Sequence, residues 1–77
     1  MKYIKLENCP FERFERIRDA YYKWAHFAMF HAGYSRKERI AVFGFWDESY
    51  IVPQLLKHIS YIPSNDRLIA EIGEILK

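Results

Sequence analysis

The stretch KWAHFAMFHAG, from Lys23 to Gly33, constrains the fold of this 77-residue chain more than any other. It follows an amphipathic segment and reads as the second half of the same helix, yet its large side chains point in every direction. A helix that is apolar on all sides is normally buried on all sides. The chain must therefore wrap this stretch with its own elements or leave it for a second molecule to cover.

The first helix is predicted from about Pro10 to Ala32, with Gly33 as its left-handed terminator. Apolar residues recur along it at the three- and four-residue spacing of a helix face: Phe14, Ile17, Tyr21, Ala25, Ala28 and Ala32. Phe27 and Phe30 fall outside this stripe, on the side that also carries Arg16 and Lys23. The pattern therefore predicts a half-buried helix whose last two turns need additional cover.

Ser35 and Glu38 have the spacing of a capping box, in which a helix-capping hydroxyl and a carboxylate satisfy backbone amides reciprocally. This signal predicts a second helix that begins with RKER and continues into IAVFGFWD. The residues from Ile40 to Trp46 are also β-branched and aromatic, so a buried strand is the alternative. We favour the helix because the capping box and the helix-forming RKER precede it.

The remaining chain favours helices as well. Pro63 breaks the chain, Ser64 or Asn65 can cap a last helix, and its apolar face comprises Leu68, Ile69, Ile72, Ile75 and Leu76. Residues 2–7 can form a short strand or an extended arm. We therefore expect one domain spanning residues 1–77 with a mostly α fold, a small bundle of three to four helices with a short N-terminal β-strand or extended arm. The alternative is an α+β fold in which Ile40–Trp46 is a strand.

A chain of this length buries only about 60% of the surface that its unfolded form exposes, so its stability margin is small. Cys9 is the only cysteine and cannot form a disulfide within the chain. Aromatic residues, at 18% of the sequence, offer large buried areas instead. A lone thiol is typical of a reducing compartment, and we see neither a signal-peptide pattern nor a membrane-length apolar run. We expect an intracellular, cytoplasmic protein without a membrane partner.

No residue pattern indicates catalysis. His26 and His31 are five positions apart, which places them on different sides of a helix rather than at the spacing of a metal pair. Cys9 stands at a helix start, where a thiol pKa falls, but no orienting residue accompanies it. The sequence has no glycine-rich phosphate loop and no evident carboxylate pair. We therefore expect a protein that is not an enzyme and has no catalytic residue, metal site or cofactor.

Positive charge is concentrated in the first half of the chain. Residues 1–40 carry nine Lys and Arg against five Asp and Glu, whereas residues 41–77 carry three against five. The candidate basic patch comprises Arg13, Arg16, Arg18, Lys23, Arg36, Lys37 and Arg39. With the helix-turn-helix-like stretch from Arg39 to Leu56, this patch makes a DNA-binding regulator an alternative function. Asp47, Glu48 and Pro53 argue against it, because they fall where a recognition helix would meet DNA.

The aromatic residues around the unusual stretch are the other candidate site. An exposed aromatic cluster rimmed by basic residues has the composition of a binding hot spot. The candidate partner-binding residues are Trp24, Phe27, Phe30, Phe45 and Trp46. We therefore expect a small protein-protein interaction module, with a homo-oligomer subunit that buries these residues against a second copy as a further alternative.

The general character of the chain, a lone small aromatic-rich domain without catalytic residues, resembles that of small phage or mobile-element proteins that inhibit a host machine. The anti-CRISPR proteins are one such group. The resemblance covers no motif and rests on size and composition. It implies an inhibitor or modulator of a larger complex and names no target.

Overall fold

The computed structural model describes residues 2–25, 30–46, 51–55 and 66–76, and these form an α+β fold. The elements in chain order are strand β1 (Lys2–Leu6), helix α1 (Phe11–Ala20), a π-helical turn (Tyr21–Ala25), strands β2 (Phe30–Ser35) and β3 (Ile40–Phe45), and helix α2 (Asp66–Leu76). The expected mostly α bundle of three to four helices is wrong. The alternative with a strand from Ile40 is confirmed, and that strand ends at Phe45.

The three strands form one antiparallel sheet in the order β1-β3-β2. Strand β3 lies in the centre and pairs with both neighbours, from Lys2 opposite Phe45 to Leu6 opposite Ala41 on one side. On the other side β2 and β3 form a hairpin, from Phe30 opposite Phe45 to Ser35 opposite Ile40. The first strand of the chain therefore joins the sheet beside the last strand, and α1 connects the two edge strands.

The first helix stops well short of its predicted end because its last part pairs with β3. This part of the chain fits two periodicities. Its residues alternate in a period of two, Phe30, Ala32 and Tyr34 with His31, Gly33 and Ser35, which fits a strand. Its apolar positions also have the three- and four-residue spacing of a helix. Gly33 is no helix terminator, since no described glycine has a positive φ. Pairing along six residues of β3 supplies backbone hydrogen bonds that local helix propensity cannot outweigh.

The capping-box residues form a turn instead of a helix start. The Glu38 amide donates to Ser35 Oγ at 3.2 Å, as a capping box requires, and the Arg39 amide donates to the Ser35 carbonyl at 2.8 Å. Arg39 then adopts φ 57°, a left-handed conformation that reverses the chain into β3. One of the two hydrogen bonds expected of the capping box is therefore present, but it closes a hairpin, because serine caps turns and helices by the same contact.

The core lies between one face of the sheet and the two helices. Ile4 of β1 and the alternating residues Ala41, Phe43 and Phe45 of β3 face it and are buried. Helix α1 contributes Phe14, Ile17 and Ala20, and α2 contributes Leu68, Ile72 and Ile75. Phe14 stacks on Phe43 with ring centroids 5.5 Å apart. The expected apolar face of the last helix is thus confirmed as core.

Two side-chain hydrogen bonds join the π-helical turn to segments that are distant in the chain. Val52 donates its amide to the buried Tyr21 hydroxyl at 3.2 Å, which ties the segment 51–55 to the π-helical turn. Trp24 Nε1 donates to the Glu71 carboxylate, which ties the same turn to α2. The π-helical turn is therefore the point at which α1, α2 and the 51–55 segment meet.

None of the helices in the described ranges has the length and apolar character needed to cross a membrane.

Candidate interaction surface

The outer face of the sheet, opposite the core, is built by the second set of alternating residues. In one cross-strand row Gly44 lies between Tyr3 and His31, and in the next Val42 lies between Lys5 and Gly33. Tyr3, Lys5, His31, Gly33 and Val42 are all exposed. A sheet that packs on one face and meets solvent on the other normally carries polar residues outside. Here tyrosine, valine and two glycines take four of the six positions, and Lys5 and His31 are the polar ones.

Two large side chains stand out on or beside this face. Tyr3 is 64% exposed, and Trp46, which continues the alternation of Val42 and Gly44 just beyond β3, is 67% exposed. Their register positions are near each other, because Tyr3 pairs with Gly44, two residues before Trp46. Tyrosine and tryptophan are the residues most enriched at binding hot spots.

An open groove of about 490 Å³ lies at the hairpin end of the outer face. Its lining is mainly apolar, and it is formed by Lys5, Gly33, Tyr34, Ser35, Glu38, Ile40 and Val42. The groove is open at Gly33, where an added Cβ would have no neighbour within 4 Å. We call the exposed residues Tyr3, Lys5, His31, Gly33 and Val42, with Trp46 and this groove, the outer-face surface.

The structure distributes the predicted aromatic anchors over different environments. Phe45 is 0% exposed and packs against Tyr21 at a ring-centroid distance of 5.1 Å, so it belongs to the core. Trp24 is half-buried and bonded to Glu71, and the cations of Lys23 and Arg67 lie over its ring at 4.5 and 5.3 Å. Of these two residues and Trp46, Trp46 is therefore the anchor whose side chain is exposed to a partner.

The two remaining predicted anchors are Phe27 and Phe30. Phe30 is the first residue of β2, opposite Phe45 in the register, so its backbone belongs to the sheet and not to a helix. Phe27 lies outside the described residues.

The predicted basic patch divides into two groups. Arg36, Lys37 and Arg39 lie in the β2–β3 turn. The Cys9 amide donates a 2.8 Å hydrogen bond to the Arg39 carbonyl of this turn. The Arg36 guanidinium lies over the Phe11 ring at 4.1 Å, so the turn packs against the start of α1. We call Arg13, Arg36, Lys37 and Arg39 the basic tip, with no ion pair to any of its members among the described residues.

The second basic group lies along α1 and the π-helical turn. Arg18 is neutralised locally, since it pairs with Glu15 at 3.7 Å and Asp19 at 3.2 Å. Arg16 and Lys23 are exposed.

Cys9 lies beneath the basic tip and is fully buried. Burial raises the pKa of its thiol, and the positive charges of Arg13 and Arg39 lower it only in part. Its Sγ lies 3.5 Å from the Pro10 carbonyl, and its own carbonyl accepts a 2.6 Å hydrogen bond from the Tyr34 hydroxyl. A protonated, enclosed thiol has the environment of a structural cysteine rather than of a nucleophile.

No group of three or more His, Cys, Asp or Glu side chains in the described ranges is arranged to hold a metal ion. Of the two histidines considered as ligands, His31 is exposed on the outer face, and His26 falls outside the described residues.

Sequence reasoning missed Tyr3, Lys5 and Val42 as surface candidates. The signal was present in the alternation of Tyr3 and Lys5 with Ile4 and Leu6, and of Val42 with Ala41 and Phe43. It pointed to the outer face only if Ile40–Phe45 was a strand, which was the less favoured interpretation.

Comparison with protein-family models, with curated protein sequences and with solved structures finds no match to this chain.

Proposed function

We propose that this protein is a non-enzymatic interaction module that binds another protein through the outer-face surface. The observation that supports this most directly is the composition of that surface. Exposed Tyr3, Val42 and Trp46 lie on or beside this face with Gly33 and Gly44. Only Lys5 and His31 in its two cross-strand rows are polar, whereas an ordinary antiparallel sheet would have polar residues throughout. A small domain gains stability by burying such side chains, and a partner segment lying on the face would bury them here.

The groove defines the kind of segment that fits. Its lining includes the apolar residues Val42 and Ile40, one cation, Lys5, and one anion, Glu38. Its lack of one dominant charge favours a protein segment with apolar side chains over a polyanion. We place this binding inside the cell, where the lone thiol of Cys9 stays reduced.

The test is a peptide-display selection on the immobilised protein, followed by calorimetric titration of the selected peptides. Val42→Lys places a charge in the middle of the outer-face surface, and we expect it to weaken binding at least tenfold. The matched control is Ala70→Lys, which adds the same charge at an exposed position of α2. Peptides that bind both variants equally well, or that perturb the NMR signals of α2 instead of those of Tyr3 and Val42, would refute the proposal.

Nucleic-acid binding is a second candidate, because the fold brings part of the predicted basic patch together. The basic tip brings one arginine of α1 near three cations of the β2–β3 turn, and the Arg36 guanidinium lies over the Phe11 ring. A helix-turn-helix unit would need its first helix at Ile40–Phe45, and these residues form a strand instead. Binding would therefore depend on phosphate contacts rather than on a recognition helix.

Two double variants of equal charge separate this candidate from general electrostatic attraction. Arg36→Ser with Lys37→Ser removes two charges from the basic tip, and Arg16→Ser with Lys23→Ser removes two charges elsewhere. Tip-mediated binding to a DNA duplex requires the first pair to lower the salt dependence by about two counterions, and the second to leave it unchanged, between roughly 50 and 200 mM salt. Equal effects of both pairs, or no duplex binding at the lower salt, would exclude the tip.

A further inference from the structure

The two edges of the sheet are protected to very different degrees. An exposed strand edge is a template for pairing with another chain, and proteins commonly block it with lysine, proline or a bulge. Strand β1 carries Lys2 and Lys5, both exposed. Strand β2 reads FHAGYS, with no charged residue and no proline, and its one-to-one register with β3 contains no bulge. Among the described strands, none lies beyond β2.

The hairpin turn determines which backbone groups point out of this edge. The Ser35 carbonyl accepts from the Arg39 amide across the turn, so the backbone groups of Ser35 point toward β3. Because the two polar groups of a strand residue point to the same side and alternate along the strand, those of Gly33 and His31 also point toward β3. The groups of Phe30, Ala32 and Tyr34 therefore point outward, at the unprotected edge.

We infer that β2 pairs antiparallel with β2 of a second copy of this chain, on a two-fold axis at Ala32. This register brings the outward backbone groups of Ala32 opposite those of the second Ala32, and those of Phe30 opposite those of Tyr34 of the second copy. It produces a continuous six-stranded sheet in which the two exposed edges are the lysine-bearing β1 strands. The two copies present the same patch to each other, as a two-fold interface requires.

The side-chain sizes suit this register. On the core side the smallest pair, Ala32 with its counterpart, lies at the axis between larger neighbours. On the outer side His31 lies opposite Gly33 of the second copy, where a Cβ would meet nothing within 4 Å. The two pairs nearest the axis, Ala32 with Ala32 and His31 with Gly33, therefore bring no two large side chains together.

Charge selects the antiparallel orientation over the parallel one. A parallel pairing would place the two basic turns side by side. The antiparallel register separates the two Ser35 residues, which precede these turns, by about six strand positions or roughly 20 Å. That distance exceeds the Debye length of about 8 Å at physiological salt, so the turns repel each other little.

The edge is also fixed in shape before pairing. The Tyr34 hydroxyl bonds to the Cys9 carbonyl, and its ring stacks on Phe14 with centroids 5.2 Å apart. Little conformational entropy is therefore lost when a second strand is added, which favours association.

Light scattering coupled to size-exclusion chromatography, over a series of concentrations, tests the inference. We expect the wild type to approach twice the 9.4 kDa chain mass as concentration rises. Ala32→Pro removes an outward amide and should give a monomer with an unchanged circular dichroism spectrum. Lys5→Pro is the matched control, because the β1–β3 register and the same alternation direct its amide out of the opposite edge, and it should remain dimeric. A wild type that stays monomeric, or equal behaviour of the two proline variants, would overturn the inference.

A cross-linking experiment decides the matter if Ala32→Pro fails to fold. Directly opposed residues of a hydrogen-bonded antiparallel pair have Cα atoms about 5.5 Å apart, within the range of a disulfide. Ala32→Cys should therefore form a covalent dimer rapidly under mild oxidation, while Lys5→Cys should not. Equal rates for the two would count against the two-fold axis. Neither experiment requires a partner protein. Val42 lies on β3, outside the β2–β2 contact, so Val42→Lys should still dimerise even if it no longer binds a partner protein.

Discussion

At the scale of single residues, Tyr21 is the side chain whose chemistry is most altered by the fold. It is fully buried among Phe45 and the helices, and its hydroxyl accepts a hydrogen bond from the Val52 amide. Burial raises the pKa of the phenol far above its usual value, and the Val52 amide opposes this only in part. The hydroxyl therefore stays protonated in the native protein and serves as a structural acceptor.

Replacing Tyr21 by Phe removes that acceptor and leaves the Val52 amide buried without this partner. We expect the free energy of unfolding to fall by about 1–3 kcal/mol, the cost of an unsatisfied buried polar group. Urea denaturation followed by circular dichroism measures it. Tyr3→Phe, at an exposed position, is the control and should change stability by less than about 0.5 kcal/mol. A Tyr21→Phe variant as stable as this control would show that the hydrogen bond contributes nothing net.

The same tyrosine makes stability fall at alkaline pH. Below pH about 10 the phenol is protonated in both the folded and the unfolded chain. Above that value the unfolded chain releases the proton while native Tyr21 retains it, so this residue lowers the free energy of unfolding by up to about 1.4 kcal/mol per pH unit. Between pH 9 and pH 11 (about one unit either side of the ordinary phenol pKa), denaturation should therefore show a smaller loss of stability for Tyr21→Phe than for the wild type. Equal losses would mean that Tyr21 is not the group responsible.

At the scale of elements, the π-helical turn shows how an expected contact residue can be used within the chain. Trp24 looked like a docking anchor because it is large and lies at the edge of the apolar stripe of the first helix. In the fold it reaches α2, where its indole N–H donates a hydrogen bond to the Glu71 carboxylate and the Arg67 guanidinium lies over the ring. Its role as an anchor for another protein stays a prediction, and its contacts to α2 are structural.

Trp24→Phe keeps an aromatic ring beneath Arg67 but removes the donor to Glu71. A hydrogen bond to a charged group contributes about 1.5–3 kcal/mol, and partial exposure of Trp24 places the expected loss at the lower end. Thermal unfolding of the variant measures the effect. Partner binding through the outer-face surface should be unchanged, whereas loss of binding without loss of stability would identify Trp24 as an anchor.

The left-handed conformation of Arg39 in the β2–β3 turn is a site where substitution should change stability. Arg39 has φ 57°, which costs a non-glycine residue about 1 kcal/mol or more, while glycine adopts it readily but loses more chain entropy on folding. We expect Arg39→Gly to equal or exceed wild-type stability and Arg39→Val to lose about 1–2 kcal/mol. Chemical denaturation of both variants tests this. A valine variant as stable as the glycine variant would contradict the left-handed conformation.

The sequence predicted the elements that depend on local pattern and failed where long-range pairing decided. Helix α2 and the start of α1 were expected from caps and apolar spacing, and the Ser35–Glu38 hydrogen bond was expected from its motif. The stretch from Ile40 to Phe45 fits both periodicities, and it becomes a strand because β1 and β2 both pair with it. The outer-face surface follows from that pairing, so its members could not be identified while the helix was preferred.

At the scale of the whole molecule, the described elements share one small core and depend on one another. Helix α2 closes the side of that core that α1 and the sheet leave open, with Leu68, Ile72 and Ile75 buried. A domain of this size has little surplus stability, so the loss of one of these contacts is felt throughout.

Ile72→Ala should therefore unfold the domain as a unit. Truncation of a fully buried isoleucine costs about 2–5 kcal/mol, a large part of the stability that a chain of this length can have. Circular dichroism and intrinsic fluorescence should report one coincident transition, shifted strongly to lower temperature. Ala70→Ser, at an exposed position of the same helix, should shift it only slightly. Separate transitions for helix and sheet would show that the elements are stable independently.

The order of the strands in the sheet also has a consequence for how the chain acquires its structure during synthesis. The hairpin closes over the four residues between Ser35 and Ile40, whereas β1 finds its described partner, β3, only about 35 residues later in the chain. At a ribosomal rate of about 5–20 residues per second, β1 waits a few seconds unpaired. Closing so long a loop is slower than forming a hairpin, so β1 should be the last strand to add. We expect the exposed lysines of β1 to limit its pairing with other chains during this interval, as they do at the edge of the finished sheet.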